Sequence, residues 1–196
     1  MAPRLNRLAI ALSSALAVSV GCAGSEYNRD ITDTMVDGER LFVAGTLNAK
    51  SFREIERQLH QNPQLRVVVL EDIDGSIDDD VNLQTAMLIH DAGLDTLVPA
   101  DGIIESGGVD LFCAGHNRIA ERGARVGVHS WADEDGLEGG DLPPDSEEHS
   151  IYLAYFAEVG CPAEFYWFSL EVAPSHGMHY MTDQELLDYG VATEIR

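Results

Sequence analysis

Hydrophobic positions in this chain come in short runs separated by glycine, proline and acidic residues, and the period changes from run to run. Residues 8–20 are apolar almost without interruption and follow Arg4 and Arg7. A basic start before an apolar stretch too short to span a bilayer comfortably predicts an export signal over 1–21. Residues 22–38 are polar and acidic and predict a flexible tether, leaving 39–196 as the folded domain. In that domain, 41–44 (LFVA) predicts a short strand ended by Gly45. Phe52, Ile55 and Leu59 then recur at helical spacing behind Ser51, with Glu54 at capping-box distance. Pro63 stops that helix, because proline cannot supply the next backbone donor. The run 65–70 (LRVVVL) is β-branched without alternation, as in a strand buried on both faces. A turn over 71–76 leads to an amphipathic helix over 81–92, with Leu83, Met87 and Leu88 on one side and Gly93 as its stop. Residues 96–98 predict the next strand.

Strand and helix alternate in this way through the first two thirds of the domain. That rhythm predicts an α/β fold in a single domain, with a mostly parallel sheet. Sites in such folds gather in loops at the carboxyl ends of the strands, where both Gly75 and Ser106 fall. A further strand over 124–129 ends in His129. Residues 132–148 are acidic and rich in glycine and proline, with no period, and are long enough to form a lid. Residues 151–159 are apolar and aromatic nearly all round, which predicts a helix buried by the domain or by a neighbouring subunit. Phe165, Trp167 and Phe168 continue the aromatic character, and 181–191 predicts a capped short helix ended by Gly190, then a last strand.

The 196 residues suffice for one domain with a real core, and a 45% hydrophobic content argues against disorder. Net charge is −22, with Lys50 the only lysine. No basic stripe is present to neutralise phosphates, which excludes nucleic acid as a default partner. The acidity reads as a solvated surface. Two cleavages fit the signal: before Cys22, which would carry a lipid, or after Ala23. Gly21-Cys22 matches the lipoprotein pattern, although Ser19 stands where an aliphatic residue is usual. Contact with a membrane is expected only through that anchor, and the location expected is the periplasm or cell envelope. Export implies an oxidising compartment, in which Cys113 and Cys161 either pair or remain two buried thiols.

Candidate chemistry centres on 104–131. Ser106 sits between Glu105 and two glycines ahead of an apolar run that starts a helix, and His129 closes the returning strand. A serine becomes a nucleophile when a base takes its proton, so Ser106 and His129 form a minimal acyl-transfer pair. The ordinary alternative for Ser106 is a helix N-cap. The segment 72–75 lacks the acids an EF-hand loop needs at Leu70 and Val81. His116, His129, His149, His176 and His179 have no thiol or carboxylate at zinc-ligand spacing and read as scattered surface histidines. Neither a metal nor a cofactor is required.

Assembled in order, these pieces resemble the Clp-protease/crotonase superfamily, and within it the exported Clp-protease-like proteins. The strand ending in glycine is Phe42-Val43-Ala44-Gly45, and the N-S-P-G-G-type turn matches Asp72 to Ser76 after Val69-Leu70. The serine loop before a helix is Ser106-Gly107-Gly108, with Gly115 and Arg118 as the following G-x-x-R. Val126-Gly127-Val128-His129 is the strand ending in histidine, and Met181 to Val191 matches M-[ST]-x-x-E-L-x-x-Y-G-[LV]. The resemblance implies a spiral of β-β-α units, with Ser106 as nucleophile and His129 as general base. It also implies an oxyanion hole of backbone N–H groups from Gly107 and from Gly75 or Ser76.

Three departures from that pattern stand out. Ser76 replaces the second glycine of the turn, Asp74 replaces its proline and places a charge beside the oxyanion site, and the orienting acid is missing. Alignment puts that acid at Pro174 or near Ser169, which leaves Glu171 as the substitute. The function expected is an exported serine hydrolase acting on a peptide, small ester or amide. The alternative is an inactive fold retained for peptide binding or assembly. Either form is expected to self-associate, with 151–168 as the interface.

Overall fold

The computed structural model describes residues 32–133 and 135–196. The predicted export signal, Cys22 and most of the predicted tether lie outside the described residues. The last part of the tether does not behave as predicted. Asp33–Asp37 forms strand β1, paired antiparallel with β2 (Arg40–Ala44). Its polar composition concealed this, because only alternate side chains of an edge strand are covered.

Three β-β-α steps follow the hairpin. Val67–Leu70 (β3) is almost wholly buried, and Glu71 alone separates it from Asp72–Ile73 (β4). Asp95–Val98 (β5) is followed by Ile103–Glu105 (β6), and Arg118–Ala120 (β7) by Arg125–Val128 (β8). In each pair the first strand joins one sheet and the second joins another. With β9 (His179–Tyr180) and β10 (Glu194–Ile195) added, the six-stranded sheet has the order β1-β2-β3-β5-β7-β10, and the four-stranded sheet has the order β4-β6-β8-β9. Pairing is parallel except for β1 with β2 and for β8 with β9 (His179–Tyr180).

Helices α1 (Ala49–Gln61), α2 (Asp79–Asp91) and α3 (Gly107–Cys113) pack side by side. The capping box of α1 lies one turn earlier than predicted: Asn48 and Ser51 exchange it, so Ser51 is the third helical residue and not the cap. Helices α4 (Ser150–Val159) and α5 (Ala163–Val172) close the core with Tyr155, Phe156, Phe165 and Tyr166. Cys113, ending α3, is disulfide-bonded to Cys161 just ahead of α5, with 6.1 Å between Cα atoms.

The predicted tail helix is α6 (Asp183–Asp188), capped by Thr182 and Glu185, and it leads to β10 (Glu194–Ile195). Arg118, 8% exposed, donates to the carbonyls of Gly115, Gly190 and Val191 and so holds this tail to β7. The acidic loop is anchored and does not form a free lid. Glu138 accepts from the N–H and hydroxyl of Ser175, and Gly139 N–H donates to the Trp131 carbonyl at 2.8 Å.

Candidate active site

Strands β4, β6 and β8 are parallel neighbours in register, with Ile73 beside Ile104 and Ile104 beside Val126. Their carboxyl ends therefore lie together, and the chain beyond each carries one part of the site. Gly75-Ser76 follows β4, Ser106 follows β6 and His129 follows β8.

Ser106 is the one non-glycine residue with positive φ among those described, at φ 52 and ψ −123. L-residues adopt such angles only at a cost of about 1–3 kcal/mol, when the surroundings impose them. Ser106 occupies the N-cap position of α3, but its side chain makes no capping hydrogen bond. Its N–H is held by the Gly127 carbonyl at 3.0 Å, and its side chain opens onto a cavity that His129 also lines.

The turn after β4 closes directly on this serine. Gly75 has φ +121, and a Cβ there would meet the Ser106 Cβ at 3.2 Å. A Cβ on Gly107 would lie 2.5 Å from Ser76 Oγ, so glycine is what allows the two loops to touch. The N–H groups of Gly75, Ser76 and Gly107 engage no acceptor among the described residues. Ser76 Oγ donates to Asp79 Oδ1 at 2.9 Å and ties the turn to α2.

His129 Nδ1 lies 2.7 Å from the Ser130 carbonyl. A carbonyl only accepts, so Nδ1 carries the proton and Nε2 is left with a lone pair. Among the described residues no hydrogen bond joins His129 to Ser106 or to a carboxylate. Glu171 is not brought to the site. On α5 Phe165, Tyr166 and Ser169 line the cavity, and Glu171 lies two residues beyond Ser169, about 200° round the helix, and is exposed. Asp74 also departs from expectation. It accepts from Thr46 Oγ1 at 2.8 Å and lines a different hollow with Arg125 and Tyr180, so it does not face the serine.

Two other carboxyls take that place. Asp110 stands one helical turn after Ser106, and Asp79 begins α2; both line the cavity. Burial, and secondarily the charge of Asp79, push the Asp110 carboxyl up to about 8, although Asn82 Nδ2 donates to it at 3.1 Å. Tyr152 OH donates to Asp79 Oδ2 at 2.6 Å. The i, i+4 spacing of Ser106 and Asp110 was present in the sequence as the one available signal. The histidine expectation is corrected as well: His149 is fully buried, with Nδ1 2.7 Å from Tyr166 OH. Among the described residues, no group of three or more His, Cys, Asp or Glu is placed to hold a metal ion.

No protein-family model matches the chain, and no curated protein matches it either. Solved structures do. A mutant of the 1510-N membrane-bound stomatin-specific protease in complex with a substrate peptide superposes with TM-score 0.55 at 16% identity, covering 79% of this chain and 73% of that one. ClpP1 from Listeria monocytogenes gives 0.54 at 17% identity, over 82% and 92%. An enoyl-CoA hydratase from Bacillus halodurans gives 0.54 at 14%, over 84% and 72%. The chain therefore has the Clp/crotonase-like fold, and its structural neighbours include proteases.

Proposed function

We propose that the chain is an exported serine hydrolase, of peptidase or esterase class, that acts through an acyl-enzyme at Ser106. The observation that carries this reading is Ser106 itself: its backbone is strained, and its side chain makes no cap bond and opens onto a cavity shared with His129. In the reaction Oγ attacks the substrate carbonyl as His129 Nε2 takes its proton. The oxyanion is met by N–H groups of Gly107 and of Gly75 or Ser76. Leaving-group departure gives the acyl-enzyme, and water activated by the same imidazole releases it.

The Ser130 carbonyl orients His129 but carries no full charge to stabilise an imidazolium. Losing the orienting carboxylate costs on the order of 10⁴ in turnover, so slow catalysis is expected. That same feature favours the second reading, an inactive fold retained for peptide binding or assembly. Export and the Cys22 anchor are supported by the pattern of 1–23 and by the Cys113–Cys161 bond, since disulfides persist in oxidising compartments. Self-association through α4 is supported by Ile151, a large apolar side chain left 43% exposed on that helix. Turnover of short peptides and p-nitrophenyl esters tests the main reading. Hydrolysis lost in Ser106→Ala supports it, and equal rates in both proteins contradict it.

A further inference from the structure

We propose that Tyr166 is a positioning residue for His129, acting through the Trp131 indole and the Ser130 peptide, and that His149 holds it in place from the core. Its consequence for catalysis rests on the hydrolase reading, but its hold on the imidazole does not.

The imidazole is oriented by a single backbone atom. His129 Nδ1 donates to the Ser130 carbonyl at 2.7 Å, so the plane of the Ser130–Trp131 peptide decides which ring nitrogen keeps the proton. A peptide plane turns about its flanking dihedrals unless both ends are fixed. At one end the Ser130 N–H donates to the Ala173 carbonyl at 2.8 Å. At the other, the Trp131 carbonyl accepts from the Gly139 N–H at 2.8 Å and from the Ser130 hydroxyl at 3.0 Å. The indole supplies the remaining hold. Its Nε1–H donates to Tyr166 OH at 3.0 Å. Trp131, Tyr152 and Tyr166 form a near-parallel stack, with centroid separations of 5.9 and 5.5 Å. A Cβ on Gly139 would lie 2.5 Å from the indole, so the acidic loop leaves the ring no room on that side.

Tyr166 is itself fixed. It is 2% exposed, and burial pushes its phenol up to about 12 although the Trp131 N–H lowers it, so the oxygen keeps its own proton. Having accepted from Trp131, the hydroxyl lies 2.7 Å from His149 Nδ1 and donates to it. The His149 proton then stands on Nε2, which is buried without a partner. Buried polar atoms are ordinarily matched, and an apolar side chain in this place would avoid the orphaned nitrogen. The core instead keeps a fully buried histidine whose ring makes one hydrogen bond, and that bond goes to Tyr166. A continuous line therefore runs from His149 through Tyr166, Trp131 and Ser130 to His129. It does by stiffness part of what an orienting carboxylate does by charge.

The test is nitrogen-15 spectroscopy of the full chain with labelled histidine, His129 being assigned by the loss of its signals in His129→Gln. In the wild type Nδ1 is expected to carry the proton, giving one pyrrole-type and one pyridine-type nitrogen. Tyr166→Phe keeps the ring and removes the hydroxyl, and in it the two shifts are expected to move towards each other as the tautomers interchange. Shifts identical to wild type overturn the inference, whatever the stability of the variant, and so does a wild type already in mixed tautomers. Should Tyr166→Phe fail to fold, His149→Phe decides in the same way, since His149 does not line the cavity. Where esters are hydrolysed, kcat of Tyr166→Phe is expected to fall about tenfold with KM unchanged, the worth of one buried hydrogen bond. A wild type that hydrolyses nothing, but whose shifts converge in the variant, leaves the inference standing and removes the hydrolase reading.

Discussion

Gly75 and Ser106 lie so close that a Cβ on the glycine would sit 3.2 Å from that of the serine. They come from the ends of β4 and β6, neighbours in register through Asp72 with Ile103 and Ile73 with Ile104. The contact puts unengaged N–H groups beside the serine hydroxyl. It also makes each residue intolerant of change.

Gly75→Ala is therefore expected to harm both stability and site. At φ +121 an alanine is strained by about 1–3 kcal/mol, and its methyl presses on Ser106. Denaturant unfolding should show a loss of that size with an unchanged m-value. Labelling of Ser106 by a serine-directed probe should slow in the same variant.

Ser106→Gly and Ser106→Ala should separate strain from chemistry. Both remove the hydroxyl, but only glycine is relaxed at φ 52. The glycine variant should be about 1 kcal/mol more stable than the alanine variant, about 2–4 °C in Tm. Calorimetric scans of the two proteins check this.

Removing the disulfide should loosen the site from behind. Cys113 ends the helix that Ser106 begins, and the bond closes a separation of 48 residues. Replacing both cysteines by alanine should cost about 2–4 kcal/mol, read as a lower denaturation midpoint. Reductant should then have no further effect on that variant.

Asp110 gives a pH signature with a definite sign. Its carboxyl titrates near 8 in the folded chain against 3.8 unfolded. Between those values the folded state holds a proton that the unfolded state releases, so this group's contribution to stability falls as pH rises and levels off above 8. Asp110→Asn removes the penalty. The variant should match wild type near pH 3.5 and melt above it at pH 8.5, each kcal/mol appearing as about 2–4 °C. A difference that grows on acidification contradicts the assignment.

The sequence made the β-β-α order legible because β3 and β5 are short apolar runs closed by turns, and Ser106 and His129 because each ends a strand. It did not reveal β1, whose exposed positions are Asp33, Met35 and Asp37, nor the shift of the α1 cap to Asn48, since Ser51 fits the same spacing. Glu171 was chosen by elimination along the chain, whereas helical phase turns it to solvent and leaves Ser169 facing the cavity. Asp79 precedes the helix predicted over 81–92, and Asp110 sits in the first turn of α3 with no motif to mark it. Only the packing of α2 against α3 brings them to the rim of one cavity, and no local pattern encodes that approach.

The most direct test is fluorophosphonate labelling of the full chain followed by peptide mapping. An adduct on the peptide containing Ser106, absent in Ser106→Ala and strongly slowed in His129→Ala, is the predicted result. An unlabelled protein across pH 6–9, or an adduct on another serine, would contradict the account.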